Sequence, residues 1–427
     1  MYNIIMYLVQ VGIAIAAIFD HKVRLRWRGG RAAIRTLKQQ VEPGEKYVWF
    51  HAASLGEFEQ GRPLMEYLRS RHPEYKILLT FFSPSGYEVR KDYKGADIVC
   101  YMPVDTVTNA RAFLRTVRPV MAFFIKYEFW YNHLHILRHR GIPTYSVSSI
   151  FRPNQIFFKW YGRQYAHVLK CFTRFFVQNE QSRELLAKIG ITDVEVVGDT
   201  RFDRVLQIKE AAKRLPVVEN FIATFSQSAS QSGAAKGEKP KVFVAGSSWP
   251  PDEEIFIKYF NAHPEWKLII APHVIGESHL QQIISLLQGK KIVRYTEAEK
   301  INGKVTPAML READVLIINC FGLLSSVYHY ADVTYVGGGF GVGIHNLLEA
   351  AVWDVPVIFG PNNQKFQEAQ DLKACGGGIE IKDSSDFENA MQRFADSTQL
   401  SNAGTEAGRY VLSLTGATQR IFSYVKL

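Results

Sequence analysis

Twice along this chain, short runs of β-branched and aromatic residues alternate with longer amphipathic stretches, and that alternation restricts the fold more than any other feature. The first series comprises 47–51, 77–82, 98–102, 120–125, 144–148, 174–177 and 194–197. The second comprises 242–245, 268–271, 292–295, 315–318, 333–336 and 355–359. Apolar runs this short that do not alternate with polar residues suit parallel strands covered on both faces. The stretches between them read as helices, for example 58–71 with Leu64, Met65 and Leu68 on one face. The expected class is α/β, with two doubly wound Rossmann-like domains facing each other across a cleft. A length of 427 residues accommodates two large domains. Residues 224–240, TFSQSASQSGAAKGEKP, are rich in Ser, Gln, Gly and Ala and read as a linker or loop. The expected boundaries are 1–40 for an anchor and basic collar, 41–222 and 241–400 for the two domains, 223–240 for the linker, and 401–427 for a terminal helix.

The N-terminus stands apart. Residues 1–19 carry no charge, and only Asn3, Gln10 and Gly12 among them are not apolar. As a helix the run would be about 28 Å long, near the thickness of a bilayer core. Seven basic residues follow within 20–40 (Lys22, Arg24, Arg26, Arg28, Arg31, Arg35, Lys38), against Asp20 alone. That segment holds +6 of the net +10, so the chain is not basic throughout, which argues against nucleic acid as partner. A signal peptide would carry its charge before the apolar run. Charge placed after it keeps the body on the cytoplasmic side and attracts anionic lipids of that face. Spanning and lying in the interface both remain open, and Trp27 suits an interfacial anchor. Cys100, Cys171, Cys320 and Cys375 show no CxxC spacing, which suits a reducing compartment.

In doubly wound folds, chemistry sits just after the strands. HAASLGE, 51–57, follows a strand and opens a helix. Ser54 and Gly56 let the backbone approach a ligand, and Glu57 can act as a general base, or simply cap the helix. The helix dipole would depress its pKa, and desolvation would oppose that. KYEFWYN, 126–132, places Glu128 among aromatics that suit a sugar or an amphiphile; the alternative is an edge acid paired with an arginine. YVGGGFGVGIHNLLEAA, 335–351, is a glycine-rich run without the GK[ST] of a Walker loop, with a helix expected to start near His345 and Glu349 one turn inside it. Ser247 and Ser248 in AGSSW, His273 in APHVIGE, and Gly322 in NCFG each end a strand. HLHILRHRG, 133–141, reads as a solvated basic helix rather than a metal site.

Together these motifs resemble the bacterial 3-deoxy-D-manno-octulosonic acid (Kdo) transferases, glycosyltransferases of GT-B-type fold. The resemblance covers nearly the whole chain: ASLGE at 53–57, E-x-W-x-N at Glu128, Trp130 and Asn132, VQNEQSRELLAKIG at 177–190, VGDTRFD at 197–203, AGSS at 245–248, IIAPH at 269–273 and HNLLEAA at 345–351. It implies transfer of Kdo from CMP-Kdo to the glucosamine disaccharide of a lipid A precursor, with inversion, without metal or cofactor, at the cytoplasmic face of the inner membrane. It makes Glu57 the general base and Glu128 a second acid, with Ser54, Gly56 and Trp130 near the acceptor. CMP would be held by Ser247, Ser248, His273, Gly322, Gly339, Asn346 and Glu349, with His345 orienting the loop. The chain departs from the family pattern at Lys126 and Tyr131, at Val274 after Pro272-His273 where an arginine is usual, at Leu323 after Phe321-Gly322 where an acid is usual, and at Ser148-Ser149-Ile150. Two other readings are a GT-B transferase using a UDP-sugar on another lipid, and an inactive scaffold that binds acidic lipid.

Overall fold

The computed structural model describes residues 2–223, 240–300 and 305–427. The expected linker at 223–240 lies almost wholly outside them. Two compact units are present: residues up to Arg204 together with Leu414–Leu427, and Val205–Ser413.

The first unit holds one parallel sheet of β1 (Lys46–Ala52), β2 (Tyr75–Phe81), β3 (Ile98–Tyr101), β4 (Met121–Ile125), β5 (Thr144–Ser149), β6 (Arg174–Val177) and β7 (Val194–Val196), in the order β3-β2-β1-β4-β5-β6-β7. The order reverses between β1 and β4, where His51 pairs with Phe124. Loops leaving two neighbouring strands on opposite sides open a crevice there. The central strands are buried on both faces, as their unbroken apolar runs require.

The second unit is also a seven-stranded parallel sheet, of β8 (Lys241–Ser248), β9 (Trp266–Pro272), β10 (Ile292–Arg294), β11 (Val315–Ile317), β12 (Val333–Val336), β13 (Val357–Phe359) and β14 (Gly378–Glu380), in a different order, β10-β11-β9-β8-β12-β13-β14, with β11 between β10 and β9. Its reversal falls between β8 and β12. β14 went unread in the sequence because Gly378 and Glu380 hide a three-residue edge strand.

The units do not divide where composition suggested. The helix Arg201–Glu210 is shared: Arg204 Nε meets Glu59 at 3.0 Å in the first unit, while Lys209 Nζ meets Asp354 at 2.9 Å in the second. The helix Pro216–Ile222, assigned to the first domain by its position before the linker, therefore belongs to the second unit. The expected terminal helix over 401–427 is two, Ser397–Ser413 and Ala417–Tyr424, broken at Gly416 with φ +89°. The second returns to the first unit. Asp203 accepts from Gly416 N and Thr418 N, both at 2.6 Å, and Phe422 stacks on Tyr67 at 4.5 Å. The quoted VGDTRFD segment thus fastens the chain end to the first sheet.

Two helices precede β1: α1 (Tyr2–Phe19) and α2 (His21–Gln40), separated by Asp20, whose side chain caps α2 through Val23 N at 2.8 Å. Among the described residues, α1 is the one helix long and apolar enough to cross a membrane. Ile4, Leu8, Val11, Ile15 and Ile18 are exposed on it at spacings of four and three, one continuous unpartnered stripe. Its first turn is tied to the body: Tyr2 Oη donates to Asp105 Oδ2 at 2.7 Å, Asn132 Nδ2 donates to Asn3 Oδ1 at 2.9 Å, and Tyr7 Oη lies 3.2 Å from Thr108 Oγ1.

Candidate active site

In the first unit, α3 (Leu55–Arg71) starts directly after β1, and Glu57 Oε2 accepts from Ser54 N at 3.0 Å, the acidic half of a capping box. Both roles weighed for Glu57 are compatible, because this bond uses one carboxylate oxygen. Burial and the neighbouring Glu128 charge push its pKa above the ordinary value; His51 and the Ser54 and Ala53 amides pull the other way and lose. The expected contest between helix end and desolvation is thus decided for desolvation, reinforced by a like charge.

Glu128 leaves the end of β4 through Lys126, whose φ of +60° turns the chain sharply. No arginine pairs with it in the contacts it makes at Oε2: Trp130 Nε1 donates there at 2.6 Å, and His51 Nε2 lies 3.2 Å away. His51 is fully buried at the end of β1, with Nδ1 2.8 Å from Thr80 Oγ1, which also accepts from Trp49 Nε1 at 2.8 Å. One proton arrangement satisfies every group: Trp49 donates to Thr80, Thr80 to His51 Nδ1, and His51 Nε2–H to Glu128. The structure therefore joins Glu57, Glu128 and Trp130 around a histidine that motif reading quoted but left without a role. Gly56 is open, with free space where a Cβ would stand.

Asp105 was missed altogether. Fully buried after β3, it caps the helix Tyr131–His139 through Asn132 N (2.9 Å) and His133 N (3.1 Å), and it meets His133 Nδ1 at 2.6 Å. The solvated-helix reading of HLHILRHRG is thereby corrected: His133 is buried because a carboxylate is there to meet it. Arg26 corrects the basic collar in the same way. It is 5% exposed, its guanidinium lies 4.2 Å from the Phe82 ring centroid, and burial lowers its pKa to about 10.

In the second unit the candidate residues gather at the ends of β8, β9 and β12. Trp249, His273 and His345 form a ladder of rings, with centroids 4.6 Å and 4.5 Å apart, and Trp249 Nε1 donates to His345 Nε2 at 3.1 Å. Desolvation, then the His273 neighbour, lowers the His345 pKa to about 4, and desolvation lowers that of His273, so both rings are neutral near pH 7. Asp252 clamps the glycine loop: Oδ2 accepts from Gly338 N (3.0 Å) and Trp249 N (2.9 Å), and Oδ1 from Tyr335 Oη (2.7 Å). A Cβ on Gly339 would stand 2.5 Å from Gly360 Cα, so only glycine permits this crossing.

Several donor-site assignments meet a different geometry. Ser248 is fully buried and donates to Glu253 Oε1 at 2.8 Å, while Ser247 remains partly exposed at φ +54°. The helix expected near His345 is the single turn Leu348–Ala351, because His345 N bonds back to Gly337 O at 3.1 Å. Glu349 stands second in that turn and is held by Asn346 Nδ2 (3.0 Å) and Ser325 Oγ (2.5 Å). Gly322, at φ +87° after β11, has open space around it. Among the described residues no group of three or more His, Cys, Asp and Glu is placed to hold a metal.

Two parallel seven-stranded sheets with polar loops at their strand ends make a fold of GT-B type. The fold resembles UDP-GlcNAc 2-epimerase from Neisseria meningitidis (TM-score 0.59, 14% identity, 88% of this chain and 98% of that one). It also resembles MurG from Acinetobacter baumannii (TM-score 0.54, 9% identity, 88% and 98%). Residues 24–204 match the family described as 3-deoxy-D-manno-octulosonic-acid transferase (kdotransferase). Relatives of that name include those of Rickettsia prowazekii, 24% identical over 90% of this chain and 80% of the relative, and Bordetella pertussis, 26% identical over 92% and 89%. The chain is thus similar to Kdo transferases over most of its length.

Proposed function

We propose that the protein transfers Kdo from CMP-Kdo to a hydroxyl of the glucosamine disaccharide of a lipid A precursor (lipid IVA), with inversion, at the cytoplasmic face of the inner membrane. The observation that carries the reading is the Glu57 carboxyl, partly buried, raised in proton affinity and set against Glu128 and His51. Such a group accepts a proton more strongly than an ordinary surface glutamate, as a general base must. The acceptor oxygen attacks the anomeric carbon of Kdo, its proton passes to Glu57, and the bond to the phosphate of CMP breaks in the same displacement. Trp130 offers a ring face to the acceptor, and Ser54 and Gly56 leave room beside it. The donor's cytidylate is assigned to the second unit, where the partly exposed Ser247, the glycine loop at Gly339, and the His273 and His345 rings supply backbone donors and neutral flat surfaces. Asn346 and Glu349 brace that loop, Ser248 positions it from within, and Gly322 lines its approach. The apolar stripe of α1 and the basic residues of α2 support attachment to anionic lipid, and the bonds of Tyr2 and Asn3 to the body favour α1 lying in the interface rather than spanning.

Mass spectrometry of a tetra-acylated lipid A precursor after incubation with the protein and a CMP-Kdo-generating system tests donor and acceptor together. A mass increase of one or more Kdo residues is expected. Transfer only from UDP-sugars supplied in parallel would replace the donor assignment, and an unchanged mass with every donor would leave only lipid binding.

A further inference from the structure

One exposed loop at the carboxyl edge of the first sheet has no part in the acid cluster. After β5 the chain runs through two short 3₁₀ turns, Ile156–Phe158 and Trp160–Gly162. Trp160 is 83% exposed and Tyr161 63%, beside Ile156 at 44%. These side chains are held outward by a firm base. Phe157 is buried, with ring centroids 5.2 Å from Phe129 and 5.4 Å from Tyr165. A Cβ on Gly162 would fall 1.8 Å from Ile156 O, so the turn closes on glycine alone. Residues 150–171 include Arg152, Lys159, Arg163 and Lys170 and no acid. The loop also adjoins the N-terminal helix: Tyr165 stacks with Tyr2 at 6.5 Å, and Tyr2 lies 5.1 Å from Tyr131.

We infer that this loop is a second membrane contact, with Trp160 and Tyr161 seated at the surface of an anionic bilayer. Trp and Tyr favour that boundary because each joins a large apolar ring to a polar atom. Arg152, Lys159 and Arg163 supply the charge that anionic headgroups attract. One helix lying in the interface leaves the body free to roll about the helix axis. A second contact removes that freedom and turns the edge bearing Glu57 and Glu128 toward the lipid. The inference rests on the reading that α1 meets a membrane, and stable attachment generally takes two such signals.

Bromolipid quenching of tryptophan fluorescence tests it on the full chain, using phosphatidylethanolamine–phosphatidylglycerol vesicles. Wild type, Trp160→Phe and Trp27→Phe are compared, with sedimentation reporting bound protein and circular dichroism reporting folding. Trp160→Phe is expected to lose most of the bromine-dependent quenching while the protein stays folded. Trp160→Ala/Tyr161→Ala is expected to weaken vesicle binding by about tenfold. Quenching unchanged in bound Trp160→Phe would overturn the loop's role and leave α1 attachment standing. Absence of any bound wild type would overturn both. A dimer without lipid that becomes a monomer in the double variant would assign the patch to a second copy of this chain and overturn the inference.

Discussion

The two units are both seven-stranded parallel sheets, with different strand orders, and they put opposite kinds of group at the point where the order reverses. At the β1/β4 reversal of the first unit stand the ionisable groups Glu57, Glu128 and His51, and the Glu128 charge, after burial, holds the Glu57 pKa above its ordinary value. At the β8/β12 reversal of the second, the acids are consumed internally, Asp252 by the glycine loop and Glu253 by Ser248 and His279. What faces outward there is backbone and neutral rings. The fold supplies a crevice at a switch point in either case. On the proposed reading, the side chains after the strands decide whether that crevice moves protons or grips a ligand.

Two substitutions test this division most severely. Glu57→Gln keeps the capping geometry and removes the base, so kcat is expected to fall about 10²- to 10⁴-fold with the donor KM unchanged. Initial rates at saturating CMP-Kdo measure it, and a loss below tenfold would break the contrast. Stability should not fall with it. A carboxyl whose pKa is raised in the folded state binds its proton more tightly there than in the unfolded chain. Its stabilisation is therefore full below about pH 4.5 and lost as pH climbs through the folded value, so at pH 7 the variant should be at least as stable as wild type in urea. Gly339→Ala should do the reverse. Its new Cβ meets Gly360 backbone, so stability should drop by about 1–3 kcal/mol and CMP binding by calorimetry should weaken.

How legible each region was in the sequence follows the same contrast. Thirteen of the fourteen strands among the described residues could be placed from apolar runs, because a strand buried on both faces must be apolar along its length. The places of Glu57 and Glu128 just after strands were legible because short motifs carry them there. His51 and Asp105 were not: their roles come from partners 77 and 28 residues away in sequence, and no spacing rule reaches that far. Arg26 was misread as one more collar charge, since nothing local says that it folds over Phe82. The second unit misled most at its glycine run. There the backbone bond from His345 to Gly337 delays the helix that the following apolar residues suggest.

The smaller effects sharpen the contrast through pH. Glu128 raises the Glu57 pKa, so Glu128→Gln should move the acid limb of kcat/KM toward lower pH, as a neutral neighbour no longer opposes ionisation. Its bond to Trp130 is retained in kind by an amide oxygen, which separates the charge effect from a packing effect. A limb that stays in place would mean that burial alone sets the Glu57 proton affinity. In the second unit no such dependence is expected. With its pKa near 4, His345 should show no change in its imidazole ¹H–¹⁵N shifts between pH 5.5 and 8. CMP affinity should be flat over that interval but for the phosphate's own titration. A His345 that titrates near 6.5 would place a cation beside the phosphate loop. The second unit would then read charge as the first does, and the division of labour would fail at its quieter end.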